Sequence, residues 1–149
     1  MPSLYFEDLD EGQTRELGTF TLSRDEIMEF AGRFDPQPIH VDEEAAEASV
    51  FGGLIASGWH TASACMRLIV DGLLIDAASM GAIGVDELRW TAPVRPGQTI
   101  TVRNEVLETR ESESRDDRGY VRNRTVGVNE EGEEVVSMVG VNIIGKRDA

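Results

Sequence analysis

The feature that most constrains this chain is a change of period near residue 84. Residues 58–74 carry Ala, Met, Leu, Ile and Val around most of a helical circumference, the pattern of a buried helix rather than a surface one. From Val85 onward, four stretches alternate with period two and are divided by turn signals. A single apolar helix followed by a run of strands admits few arrangements. The helix is expected to lie across a meandering antiparallel sheet, which places the chain in the α+β class. Exposed strand edges then need cover, and dimerisation is one way to supply it.

The flanking elements follow from local chemistry. Arg15–Leu22 reads as a strand with Leu17, Phe20 and Leu22 apolar. Ser23-Arg24-Asp25-Glu26 is a capping box, in which Ser23 and Glu26 satisfy each other's backbone donors at a helix start. That helix should run to about Ala31 and end at Gly32. Residues 35–40 read as an irregular loop, because Pro36 and Pro38 remove two donors and push Asp35 and Gln37 toward extended backbone. Asp42–Ala48 reads as a short helix capped by Asp42, and Gly58–Leu74 as the long one. The strands are Val85–Val94, with Leu88, Trp90 and Ala92 on one face, then Thr99–Thr109, Tyr120–Asn129 and Glu134–Ile144. The last should put Val135, Val139, Val141 and Ile143 mostly on one face. Turns fall at Pro93–Gly97, Arg110–Arg118 and Asn129–Gly132. Residues 1–14 read as irregular and 145–149 as a polar tail.

At 149 residues the simplest division is one domain with its core over about residues 10–145. There are 28 acidic against 14 basic residues, a net charge of -14. Such a chain is not expected to bind nucleic acid or an anionic membrane, both of which ask for cationic neutralisation. Lys146 is the only lysine, which fits either salt adaptation, where screening makes self-repulsion tolerable, or a source that favours arginine. Cys65 stands alone and excludes an internal disulfide or a multi-cysteine metal site. Arg67, Asp71 and Asp76 interrupt the longest apolar stretch, so it cannot span a bilayer. Without a basic start leading into an apolar run, a cytoplasmic protein is expected.

Two runs carry candidate chemistry. Arg33-Phe34-Asp35-Pro36-Gln37-Pro38-Ile39-His40 holds an acid and a histidine on a stiff segment, groups suited to general acid–base work on one water. Taken alone, the pair reads more readily as a turn cap and a buried histidine. Phe51-Gly52-Gly53-Leu54-Ile55-Ala56-Ser57-Gly58-Trp59-His60 leads into the apolar helix. Its start near Gly58 offers unpaired N–H groups and the positive end of the helix dipole, suited to an oxyanion. The same glycines also serve a tight crossing, and the two readings are compatible. His60, one turn in, reads as packing or interface.

Together the runs resemble the signature of the MaoC-like hydratases, the (R)-specific enoyl-CoA hydratase branch of the hot-dog superfamily. The family pattern of Asp, any residue, Asn, Pro, any residue, His stands here as Asp35-Pro36-Gln37-Pro38-Ile39-His40. A helix start of the Ile-Ala-His-Gly-Met type stands as Ile55-Ala56-Ser57-Gly58-Trp59. Trp90–Ile100 is similar to the family's stretch before the second long strand. The resemblance implies a hot-dog fold, a curved antiparallel sheet around a long helix, and a homodimer or dimer of dimers. It implies that Asp35 and His40 activate water for a trans-2-enoyl thioester while the Gly58 amide holds the thioester oxygen. It implies neither a metal nor a redox cofactor. The substrate is then a thioester of coenzyme A or of an acyl carrier protein. Gln37, Ser57, Trp59, Arg89 and Arg95 are candidate substrate contacts, with Arg67 a further cation near the tunnel. Gln37 and Ser57 depart from the usual asparagine and histidine. A thioesterase and a non-catalytic acyl-CoA binder share the fold and stay open, although a thioesterase places an acid on or near the central helix, where this chain has only Asp71 and Asp76.

Overall fold

The structure is a computed structural model describing residues 1–148. Five strands form one antiparallel sheet: β1 (Thr14–Thr21), β2 (Ser79–Trp90), β3 (Thr99–Glu111), β4 (Arg118–Val128) and β5 (Glu134–Gly145), in the order β1-β3-β4-β5-β2. Only β3, β4 and β5 meander. β2 crosses to the far edge and pairs with β5, so the expected meander of four successive strands is corrected. The helices are α1 (Arg24–Phe34), α2 (Pro38–Val41), α3 (Glu43–Glu47) and α4 (Gly58–Ile69), the last continued by a π-helical turn over Val70–Leu74.

α4 lies on the inner face of the sheet. Thr61, Cys65 and Ile69, at spacings of four, are its buried stripe, and they meet Ile100, Val102, Val136 and Met138 from the strands. The rest of the helix is less covered than its composition suggests. Trp59 and Met66 are exposed in the single chain, so the expectation of a helix buried all round does not hold for one chain. Cys65 is free and buried; burial pushes its thiol up to about 12, which removes it as a nucleophile at neutral pH. A second cluster of Phe6, Leu9, Leu73, Ala77 and Ile144 closes the other end. Phe6 packs on Gly119, where a Cβ would lie 2.2 Å from the ring.

Several local readings change. α1 runs past Gly32 to Phe34, because the stop comes from Pro36, which forces Asp35 out of helical backbone. β2 begins at Ser79 and ends at Trp90, and it is exposed along its length apart from Leu88. β5 does not alternate cleanly: Val135, Val136, Met138 and Val139 are all buried. The N-terminal segment is ordered by a 3-10 turn at Phe6–Asp8. Toward the C-terminus Lys146 pairs with Glu111 and Arg147 with Asp8; Ala149, the end of the expected polar tail, lies outside the described residues. Beneath the π-helical turn, Asn104 donates to Asn123 Oδ1 (2.8 Å) and Asn123 to Asn142 Oδ1 (2.9 Å). This polar ladder runs diagonally across three strands, with Asn104 opposite Thr125 and Asn123 opposite Gly140. It engages amide N–H groups that would be costly to bury alone, while Asn104 Oδ1 has no partner among the described residues.

Candidate active site

Two prolines bring the acid and the imidazole together. Pro36 ends α1, leaving Asp35 as its C-cap with its N–H on the Ala31 carbonyl (2.8 Å). Pro38 then starts a new helix. At the first helical position its missing N–H is no loss and its fixed φ suits the turn, so Pro38–Val41 is helical where a loop was expected. His40 sits in that turn, buried, with its N–H on the Gln37 carbonyl (2.9 Å).

His40 Nδ1 lies 2.8 Å from the Ile55 carbonyl oxygen. A carbonyl only accepts, so Nδ1 carries the proton, and in the neutral ring Nε2 presents its lone pair. Nε2 faces Asp35 Oδ2 at 3.4 Å. Two acceptors at that distance make no direct bond, but a molecule with two O–H groups can donate to both.

Asp35 is held as an anion. Gln37 Nε2 donates to Oδ1 (2.7 Å) and Ser57 Oγ to Oδ2 (2.7 Å). Gln37 first and Ser57 second keep the carboxyl below its usual range, with His40 adding to them and burial opposing. Ser57 is fully buried (0% exposed) and also caps α4, accepting from the Trp59 N–H (3.3 Å). The segment before it is clamped by Ile55 N–H to the Ile39 carbonyl (3.3 Å) and Ala56 N–H to the Val94 carbonyl (2.8 Å). One serine therefore ties the acid to the start of the long helix.

Gly58 is the first residue of α4, and its N–H makes no hydrogen bond among the described residues. A Cβ there would lie 2.3 Å from Trp90 Cε2; only glycine lets the indole lie flat on the helix start. His40, Gly58, Thr61, Trp90, Ala92 and Val94 are among the residues lining a cavity of about 270 Å³. Asp35 is not itself a lining residue; it reaches the cavity only through His40, and its side chain is 18% exposed.

The other sequence candidates are placed differently. Gln37 is exposed and engaged with Asp35. Ser57 has no surface to offer a substrate and acts on Asp35 instead. Trp59 is 57% exposed and meets Trp90 edge-on at 5.1 Å. Arg95 Nη2 donates to the Phe51 carbonyl (2.6 Å), bracing the cavity wall. Arg89 lies outside the cavity, in a separate groove. Arg67 pairs with Asp71 (2.8 Å), and Arg33 lies over the Phe34 ring (5.5 Å) rather than beside Asp35. His60 stacks on Phe30 with centroids 4.4 Å apart; burial pulls its pKa down. Sequence reasoning missed Thr61 as a wall residue and Ser57 as the partner of Asp35. The serine directly before a helix-starting glycine is an N-cap signal, but nothing in it points back to residue 35.

Comparison with known proteins places this geometry. The sheet wrapped on one helix superposes on a Mycobacterium tuberculosis protein described as having a double hot-dog fold, with a TM-score of 0.79 and 17% identity, over 97% of this chain and 44% of that one. The fold is a hot dog. The MaoC like domain family matches residues 9–129, and the chain belongs to that family. It is 39% identical over 99 residues to an (R)-specific enoyl-CoA hydratase of Rhodospirillum rubrum, covering 65% of each protein. It is 35% identical over 103 residues to an uncharacterised Bacillus subtilis protein, covering 67% of this chain and 73% of that one. A MaoC-like dehydratase structure from Rhodospirillum rubrum superposes with a TM-score of 0.90 at 41% identity, over 99% of this chain and 100% of that one.

Proposed function

We propose that the protein is a hydro-lyase that adds water reversibly across a trans-2-enoyl thioester to give an (R)-3-hydroxyacyl thioester. The observation that carries this reading is the approach of Asp35 Oδ2 to within 3.4 Å of His40 Nε2, with His40 and Gly58 lining one cavity. A water donating to both groups is positioned and polarised at once. As its oxygen bonds to C3, one proton passes to the pair, and electron density moves through C2 to the thioester oxygen. The Gly58 N–H at the helix start stabilises that enolate. The pair then returns a proton to C2 on the same face. Dehydration runs through the same groups in reverse. The reading asks for no metal or redox cofactor, coenzyme A being part of the substrate, and it assumes a cytoplasmic setting. No helix among the described residues is long and apolar enough to cross a membrane.

The cavity also bears on the thioesterase alternative. His40 is the only ionisable side chain among its described lining residues. Asp71 is exposed and paired with Arg67, and Asp76 is exposed at the far end of the helix; neither approaches the wall. The direct test is incubation with crotonyl-CoA. The expected result is loss of the conjugated-thioester absorbance with no free thiol. Thiol release would establish the thioesterase instead, and no change in either signal would favour the binder.

The depressed pKa of Asp35 keeps its carboxylate ionised into the acid range. The carboxylate must be ionised to hold the water, so its share of the activity is present above its folded pKa and lost as pH falls through it, while the water also needs the Nε2 lone pair of neutral His40. The same ionisation stabilises the fold above the unfolded value, and that contribution too is lost as pH falls through the folded one. Ser57→Ala removes one of the two donors, so Asp35 is expected to protonate at higher pH, read by NMR titration of its carboxyl carbon. An unshifted titration would show that Ser57 does not hold the Asp35 anion.

A second copy of the chain belongs to this reading. β2 is an edge strand with Met80, Ile83, Val85 and Trp90 exposed, an unusual state for a long apolar edge. Pairing two β2 strands covers it and brings the exposed Trp59 and Met66 of α4 toward the partner. Sedimentation is expected to give a dimer, and Val85→Lys to give monomers; a monomeric wild type contradicts the pairing.

A further inference from the structure

The cavity is apolar apart from His40, the hydroxyls of Thr61 and Thr91 and the Trp90 indole, and none of its described lining residues carries a fixed positive charge. A coenzyme thioester carries phosphates, and the chain carries a net charge of -14. Binding then needs a local cationic seat within reach of the cavity. One such place adjoins it. Thr91 lines the catalytic cavity on one side and, on the other, a groove of about 160 Å³ that holds Arg89, Arg124, Ser137 and Val139.

Three features mark this groove. First, Arg89 and Arg124 share one groove and neither has an acidic partner within ion-pair distance among the described residues, a state they share with Arg15, Arg33, Arg95, Arg110 and Arg115 but not with Arg24, Arg67, Arg103, Arg118, Arg122 or Arg147. Second, the sheet sets the two guanidinium groups on either side of one strand. Arg89 pairs in register with Ser137 and Arg124 with Val139, residues of the same face of β5. Third, β2 is bulged between Asp86 and Arg89, and Glu87 there has a φ of 51°, the one non-glycine residue with positive φ among the described residues. Left-handed backbone is uncommon for glutamate and is retained where something else requires it. Bulges re-aim the side chains that follow, here Arg89. The groove also holds two acids, Glu87 and Glu134. Glu87 is drawn aside, with Oε2 3.7 Å from Arg122 Nη2, so the arginines outweigh what remains.

We infer that this groove seats the phosphates of the thioester carrier, with the pantetheine arm passing Thr91 from the catalytic cavity around the end of β2. The inference rests on the hydratase reading for the arm, but not for the phosphates. Arginine forks bind phosphate oxygens in pairs, and two flanking a groove suit the coenzyme's diphosphate. A carrier protein would present a single phosphodiester to the same place. Selectivity for the phosphorylated carrier is then separable from the chemistry at Asp35 and His40.

Two experiments test it. The first uses no chemistry: calorimetry with free coenzyme A on wild type and on the Arg89→Ala/Arg124→Ala double variant. Affinity is expected to fall about tenfold or more, the scale of losing a charge-assisted phosphate contact, and Arg89→Lys should retain part of it. Equal affinities overturn the groove whatever turnover shows. The second compares kcat/KM for crotonyl thioesters of coenzyme A, phosphopantetheine and N-acetylcysteamine. The wild-type preference for coenzyme A over the phosphate-free ester is expected to collapse in the double variant, with an intermediate loss for phosphopantetheine. A preference that survives the double variant overturns the groove. If the wild type hydrates none of the three, the hydratase reading fails, and the calorimetry still decides the groove.

Discussion

Replacing Asp35 by asparagine is expected to lower kcat for enoyl-thioester hydration by about a thousandfold, within the range for removing a positioned acid–base group. The loss should appear without unfolding. An asparagine side chain keeps one oxygen to accept from Ser57 or Gln37, and the C-cap of α1 rests on a backbone bond from Asp35 N–H to Ala31. What disappears is the anion facing His40 Nε2. The thermal midpoint should therefore stay close to that of the wild type while turnover collapses. His40→Ala should also abolish most turnover, but it additionally frees the Ile55 carbonyl, so Asp35→Asn is the cleaner probe. Near wild-type turnover in Asp35→Asn would remove Asp35 from the catalytic pair.

The second large effect is expected at Gly58. A Cβ here meets Trp90 ring atoms at 2.3, 2.4 and 2.7 Å, too close for the indole to keep its position. In Gly58→Val the indole must leave the helix start, and the cavity wall and the oxyanion donor move together. Removing one such donor costs about a hundredfold or more in kcat, and displacing the wall adds a rise in KM. The double variant Gly58→Ala/Trp90→Ala separates the two causes. Removing the indole relieves the clash, so the double variant is expected to be more stable than Gly58→Ala alone, a coupling readable as non-additive thermal shifts. Additive shifts would show that the indole and the helix start are not in contact.

Why some of this was legible in the sequence and some was not comes down to range. The capping box at Ser23–Glu26 and the Asp42 cap act within three residues and were read directly; both form, with Asp42 accepting from the Ala45 N–H. The α+β class followed from one helix and the later strands; the hot-dog fold was implied by the resemblance at Asp35–His40 and Ile55–Trp59. The crossing of β2 to the far edge was not legible. Period-two alternation fixes which face a residue takes, but not which neighbour a strand chooses. Pro38 was misread because proline forbids a helix interior but favours its first position. In the candidate site, the acid and the histidine stood out by type. Ser57 did not, because its bond to Asp35 joins residues 22 positions apart. Trp90 over Gly58 was hidden for the same reason: it is a contact between a strand end and a helix start, set by the sheet.

The measurement that bears most directly on the paired action of Asp35 and His40 is the stereochemistry of the product formed from crotonyl-CoA in deuterated water, read by NMR and chiral chromatography. In the proposed mechanism one water bridges both groups, so oxygen and deuterium are expected to add to the same face; with the (R) face that the resemblance implies, the product is a single (R)-3-hydroxybutyryl-CoA with one deuterium at C2. An (S) product, a mixture at C2, or free crotonate would contradict it.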